Sequence, residues 1–128
     1  MKIRKLAIVL FASIVLPAIS LAAECTNEID YVLDEVLTGI CAGGTDLTNH
    51  RNGTRICEGL ESKLEGARDK VESDKLVDKK VQDALDKLSS FQATIDKLAG
   101  KGIITGTDQS TLTGLVDAAT TCVNGLFD

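Results

Sequence analysis

Residues 77–99 read VDKKVQDALDKLSSFQATIDKLA, and this stretch decides the fold. Val77, Val81, Leu85, Leu88, Phe91, Ile95 and Leu98 recur in steps of three and four, which keeps one apolar stripe on one side of a helix for roughly six turns. The opposite side carries Asp78, Lys79, Asp83, Asp86, Lys87, Asp96 and Lys97, residues that belong in water. Lys79–Asp83 and Asp83–Lys87 have the i,i+4 spacing of surface ion pairs. A helix of this length cannot bury its stripe alone, so the other segments must cover it.

The neighbouring segments have the same periodicity. Ile29, Val32, Leu33, Val36, Leu37 and Ile40 predict a first helix over about Asn27–Cys41, capped by Thr26 or Asn27 and ended by Gly43-Gly44. Ile56, Cys57, Leu60, Leu64, Ala67 and Val71 predict a second over about Thr54–Glu72. Ser73-Asp74 marks the break before the third, either residue being able to cap it; the competing reading is one helix running from 54 to 99. Gly100-Lys101-Gly102 stops the third helix, and Ile103-Ile104 folds under as a plug over one end of the core. Thr107 or Asp108 caps a fourth helix bearing Leu112, Leu115, Val116, Ala119, Cys122 and Val123 and fraying near Gly125. No segment has strand periodicity. The expectation is an all-α, antiparallel four-helix bundle with up-down-up-down topology.

The first 22 residues read as a cleaved signal peptide. Lys2, Arg4 and Lys5 precede the apolar run from Leu6 to Leu16, Pro17 breaks it, and Ser20-Leu21-Ala22 supplies the small residues before a cut after Ala22 or Ala23. The run falls short of the ~20 residues of a membrane span, and Glu24 before Cys25 argues against lipidation. Residues 23–128 then form one domain with 11 basic against 19 acidic residues, a formal charge of −8. That balance argues against nucleic acid or anionic membrane as partner. The acidity reads as solubility, and the leader predicts a periplasmic or extracellular protein with no membrane span after leader removal.

Four cysteines in an exported chain suggest staples, and helix order selects their pairing. Cys25 and Cys41 lie at opposite ends of a rod roughly 20 Å long, too far apart to bond. Antiparallel packing instead brings Cys41 beside Cys57 and Cys25 beside Cys122. The spacings of 16, 16 and 65 residues contain no C-x-x-C pair; a Cys41/His50/Cys57 zinc site would lack a fourth ligand. No cofactor or metal is expected.

Catalytic groups are sparse. His50 is the single histidine, with no nucleophile near it in sequence, and the helical carboxylates alternate with lysines on outer faces. Gly43-Gly44 and Gly100-Lys101-Gly102 are helix caps rather than phosphate loops. The segment Gly43–Gly53 reads as a polar loop tethered by a disulfide, and Thr45, Asp46, Thr48, Asn49, His50 and Asn52 are its candidate binding residues. Asn52-Gly53-Thr54 also matches the N-glycosylation pattern.

From Ser62 onward a family likeness emerges. Ser62-Lys63-Leu64, Ala67, Leu85, Leu88-Ser89-Ser90-Phe91, Gly100-Lys101-Gly102-Ile103, Leu112 and Ala118 resemble the FIMAH domain, a small helical module of bacterial extracellular proteins that is commonly appended to larger enzymes. The resemblance spans residues 62–118, about half the chain, and departs from that setting in adding a first helix and four cysteines. It implies an exported accessory or interaction domain and transfers no functional residues. The expected function is therefore non-catalytic binding of an unknown protein or envelope partner. The alternative is carriage of a small apolar ligand between the helices, near Gly59, Gly66, Ala67 and Gly114.

Overall fold

The computed structural model describes residues 17–73 and 75–127, with side chains from residue 21 onward. They form α1 (Pro17–Thr38), the short α2 (Asp46–Asn49), α3 (Gly53–Val71), α4 (Asp78–Gly100) and α5 (Gly106–Asn124), with no strand among the described residues. Helices α1, α3, α4 and α5 close a four-membered ring: α1 packs on α3, α3 on α4, α4 on α5, and α5 back on α1. The result is an all-α bundle whose four long helices alternate in direction.

The stripe of α4 lies in the centre of this ring. Val81, Leu88, Phe91, Ile95 and Leu98 are buried, and Leu85 is partly so. Ala84, adjacent to Leu88 around the helix, is buried too. Val77 is the exception. It is the N-cap residue in extended conformation and is exposed, because the helix starts one residue later. From the other helices the core receives Ile29, Val32, Val36, Leu60, Leu64, Ala67, Leu112, Val116, Ala119 and Val123.

The interhelix breaks follow local chemistry. At the end of α4, Ile103 N–H donates to Leu98 O (2.9 Å) and Gly102 N–H to Ala99 O (3.0 Å). Gly102 has φ +74°, so this is a Schellman cap, with glycine at the position that needs a left-handed backbone. Ile104 then turns under the helix ends and is buried as a plug. Between α3 and α4 the chain leaves helical conformation, which excludes one helix from 54 to 99. The cap there is neither Ser73 nor Asp74: Val77 takes the position without a side-chain bond, Ser73 accepts from Lys80 Nζ, and Asp74 lies outside the described residues.

Two helix starts differ from those read in the sequence. Helix α5 is capped by Thr105, whose Oγ1 accepts from Asp108 N–H at 3.0 Å, not by Thr107 or Asp108. Helix α1 begins at Pro17, ten residues before Asn27, and ends at Thr38 rather than Cys41. Thr26 and Asn27 are thus interior residues, and Leu21 and Ala22 pack against the core. Ala-rich sequence simply continues the helix past both polar residues. Residues 1–16 of the expected signal peptide lie outside the described residues.

Both ends of the bundle are stapled. Cys25, the ninth residue of α1, bonds Cys122 near the end of α5, with a Cα separation of 5.4 Å; Cys41 bonds Cys57 at the other end, at 5.9 Å. These are the pairs that antiparallel order brings together. On the surface, Asp83 meets Lys79 (3.5 Å) and, across from α3, Lys70 (3.6 Å). The expected Asp83–Lys87 pair is replaced by a packing role, the stem of Lys87 lying over Gly66 of α3. Arg68 on α3 bonds Asp30 of α1 at 3.2 Å. That hydrogen bond raises the Arg68 pKa above its ordinary value; burial opposes it as the next largest influence, and the charges of Asp30, Glu72 and Asp69 add to the rise.

Gly59 lies in the interior of α3, and a Cβ added there would meet nothing within 4 Å. Gly59→Ala is therefore expected to stabilise the protein by about 0.5–1 kcal/mol, since helical glycine costs that much relative to alanine and no neighbour opposes the added methyl. A rise in the urea midpoint at unchanged slope would show it.

Candidate functional site

The connection from α1 to α3, residues 39–52, is the most elaborated surface segment, and its form follows from three residues. Thr45 caps α2: its Oγ1 donates to Ile40 O (2.7 Å) and accepts from Thr48 N–H (3.2 Å), while Thr45 N–H donates to Thr48 Oγ1 (3.0 Å). This reciprocal pair is a capping box with threonine in place of the usual Glu or Gln. Thr48 Oγ1 also lies 3.2 Å from Ala42 O and 3.1 Å from Thr45 O, within reach of its one proton. The turn thus places Leu47 in the core, where it is buried.

Gly53 is the third. It is buried, its N–H donates to His50 O (2.9 Å), and a Cβ there would stand 1.9 Å from Leu47 O. The requirement is for close approach, because no positive φ is involved. Gly53→Ala is expected to cost about 3 kcal/mol, the upper part of the overpacking range, since the obstacle is backbone and cannot rotate away. Chemical denaturation measures it; a loss below about 1 kcal/mol would mean that the turn is not fixed by this contact.

Of the six loop residues singled out in the sequence, Thr45 and Thr48 thus build the turn, and their hydroxyls are committed to it. Asp46, Asn49, His50 and Asn52 are exposed. Asn49 Nδ2 reaches Gly44 O at 3.5 Å. Asn52 occupies the N-cap of α3 without a side-chain cap bond. Arg51, which no sequence pattern marks, is exposed between His50 and Asn52. Among the described residues, the side chains of His50, Arg51 and Asn52 make no hydrogen bond or ion pair. Cys41 and Cys57, bonded to each other at the base of this loop, supply no thiolate, which removes the Cys41/His50/Cys57 zinc arrangement. No group of three potential metal ligands occurs among the described residues.

A second polar feature is an open groove of about 600 Å³ between α4 and α5. Gln92 Nε2 donates to Asp96 Oδ1 (2.9 Å) and across the seam to Thr113 Oγ1 (2.8 Å); Gln109 Nε2 donates to the same Asp96 oxygen (3.0 Å). These bonds tie the two helices together, and Ser110 and Asp117 line the open side. Gln92 and Asp96 have i,i+4 spacing, but nothing in the sequence announces the bonds across the seam, whose partners are 13 to 21 positions apart. The small residues considered for an apolar ligand have differing surroundings. Ala67 is filled core, Gly66 lies under Lys87, and Gly59 and Gly114 have open space where a side chain would be.

No family model, curated protein or solved structure matches this chain.

Proposed function

We propose that this protein is an exported, non-catalytic scaffold that binds a protein or envelope partner through the tip of the α1–α3 connection. The observation that carries this reading is a contrast within one loop. Its backbone is fixed by the Thr45/Thr48 box, the buried Leu47, the Gly53 contact and the Cys41–Cys57 bond, yet His50, Arg51 and Asn52 project from it with no described intramolecular partner. A prearranged set of polar side chains loses little conformational entropy on binding. A loop on a rigid frame is where recognition is commonly displayed.

Export to the periplasm or the cell exterior is supported by the leader-like residues 1–22 and by two disulfides, bonds that persist in oxidising compartments. None of the described helices is long and apolar enough to cross a membrane. The resemblance of residues 62–118 to FIMAH modules points the same way.

The test is chemical cross-linking in the cells that make the protein, comparing wild type with a His50→Ala/Arg51→Ala/Asn52→Ala triple variant. Loss of a specific cross-linked species by tenfold or more is expected, with the melting temperature changed by no more than about 3 °C because exposed substitutions cost little. Equal cross-linking yield in both proteins would defeat the reading.

A further inference from the structure

We infer that leader removal precedes closure of the bundle, because the folded, oxidised chain withholds the bond after Ala22 from a peptidase. This rests on the leader reading proposed above and adds an order of events to it. The Ala22–Ala23 bond lies inside α1, which runs unbroken from Pro17 to Thr38. Leu21 and Ala22 are partly buried against the core. The Leu21 carbonyl oxygen lies 3.8 Å from Cys122 Sγ, a contact rather than a hydrogen bond because a disulfide sulfur has no proton. Leu21 Cδ2 also approaches Gly125, the C-cap residue of α5, within 3.8 Å of where a Cβ would stand. Three residues after Ala22, Cys25 is fully buried and bonded to Cys122.

A peptidase takes its substrate as extended chain, so cleavage of a folded protein proceeds through opened forms. Extending residues 20–24 would unwind the start of α1, pull Leu21 and Ala22 off the core and work against the fixed point at Cys25. The tether at Cys25 and the contacts of Leu21 with Cys122 and Gly125 do not exist until α5 has docked, since those partners come from the C-terminal end. The cleavable period therefore extends until nearly the whole chain has crossed the membrane, and formation of Cys25–Cys122 ends it.

The experiment uses the full-length chain with its leader and a purified leader peptidase in detergent. In one arm the chain is folded and air-oxidised first; in the other, reduced and denatured chain is diluted directly into the peptidase. Release of a product beginning at Ala23 or Glu24 is expected to be at least tenfold slower in the first arm. Equal rates would overturn the inference while leaving the leader reading intact. Absence of cleavage at either bond in the diluted chain would overturn the leader reading, and the inference with it.

Discussion

Replacing Cys25 and Cys122 together by alanine is expected to lower stability by about 4.5 kcal/mol. The bond joins residues 97 positions apart, and in the chain-entropy description the denatured state of the cross-linked chain loses more freedom the longer the loop. The Cys41–Cys57 bond closes only 16 positions, for which the same reasoning gives about 3 kcal/mol. A domain of about 100 residues has roughly 5–15 kcal/mol in total, so the first loss leaves it marginal. The melting temperature is expected to fall by at least about 15 °C, at about 4–8 °C per kcal/mol for a domain near this size. Circular dichroism on the double variant measures it. A fall below about 5 °C would mean that helix packing alone holds the two ends together. Both cysteines are changed so that no unpaired thiol is left in the buried position of Cys25.

Phe91→Ala is expected to cost about 3–5 kcal/mol, the range for removing a large aromatic side chain from a packed interior. Phe91 is fully buried and heads the largest enclosed side chains, midway along α4. Its removal would leave a cavity that the surrounding helices can close only in part. Phe91→Leu, which retains most of the volume, is expected to lose about 1.5 kcal/mol or less. Urea titration of both variants distinguishes a cavity cost from a general sensitivity of the helix. Equal losses in the two would show that the ring's shape, not its volume, is what the core requires.

The same residue shows what the sequence could disclose. Phe91, Leu88, Ile95 and their neighbours repeat over about six turns, and so regular a stripe is legible without knowing its partners. The stripes of α3 and α5, the Gly102 stop and the Ile104 plug are legible for the same reason: each depends on residues close in sequence. Helix starts are less so. Thr105-Gly106-Thr107-Asp108 offers three capping side chains within four positions, and only the bond to Asp108 N–H distinguishes Thr105. At α1 the helical pattern runs back through Ala22 and Leu21, whose leader-like composition masks their part in the fold. Helix α2 is hidden because four residues with one apolar member have no measurable period, although Thr45-x-x-Thr48 has the spacing of a capping signal. The role of Gly53 is hidden altogether. Asn52-Gly53 reads as a turn, whereas the demand for glycine comes from the Leu47 carbonyl six residues earlier, a contact that exists only once the loop has folded back.

The Cys25–Cys122 bond has a mechanical meaning as well as a thermodynamic one. A pull applied between Ala23 and Phe127 enters at Cys25 and leaves through Cys122, so tension passes through one covalent bridge and a handful of flanking residues. The span between them, 97 positions from one cysteine to the other, contains most of α1, all of α2 to α4 and most of α5, and is a side loop that carries no load. At about 3.4 Å per extended residue, roughly 330 Å of contour is kept out of reach of force until the sulfurs are reduced. In a moving or sheared envelope the protein would behave at its ends as a short inextensible link, with the α1–α3 loop carried on a frame that such a pull does not stretch.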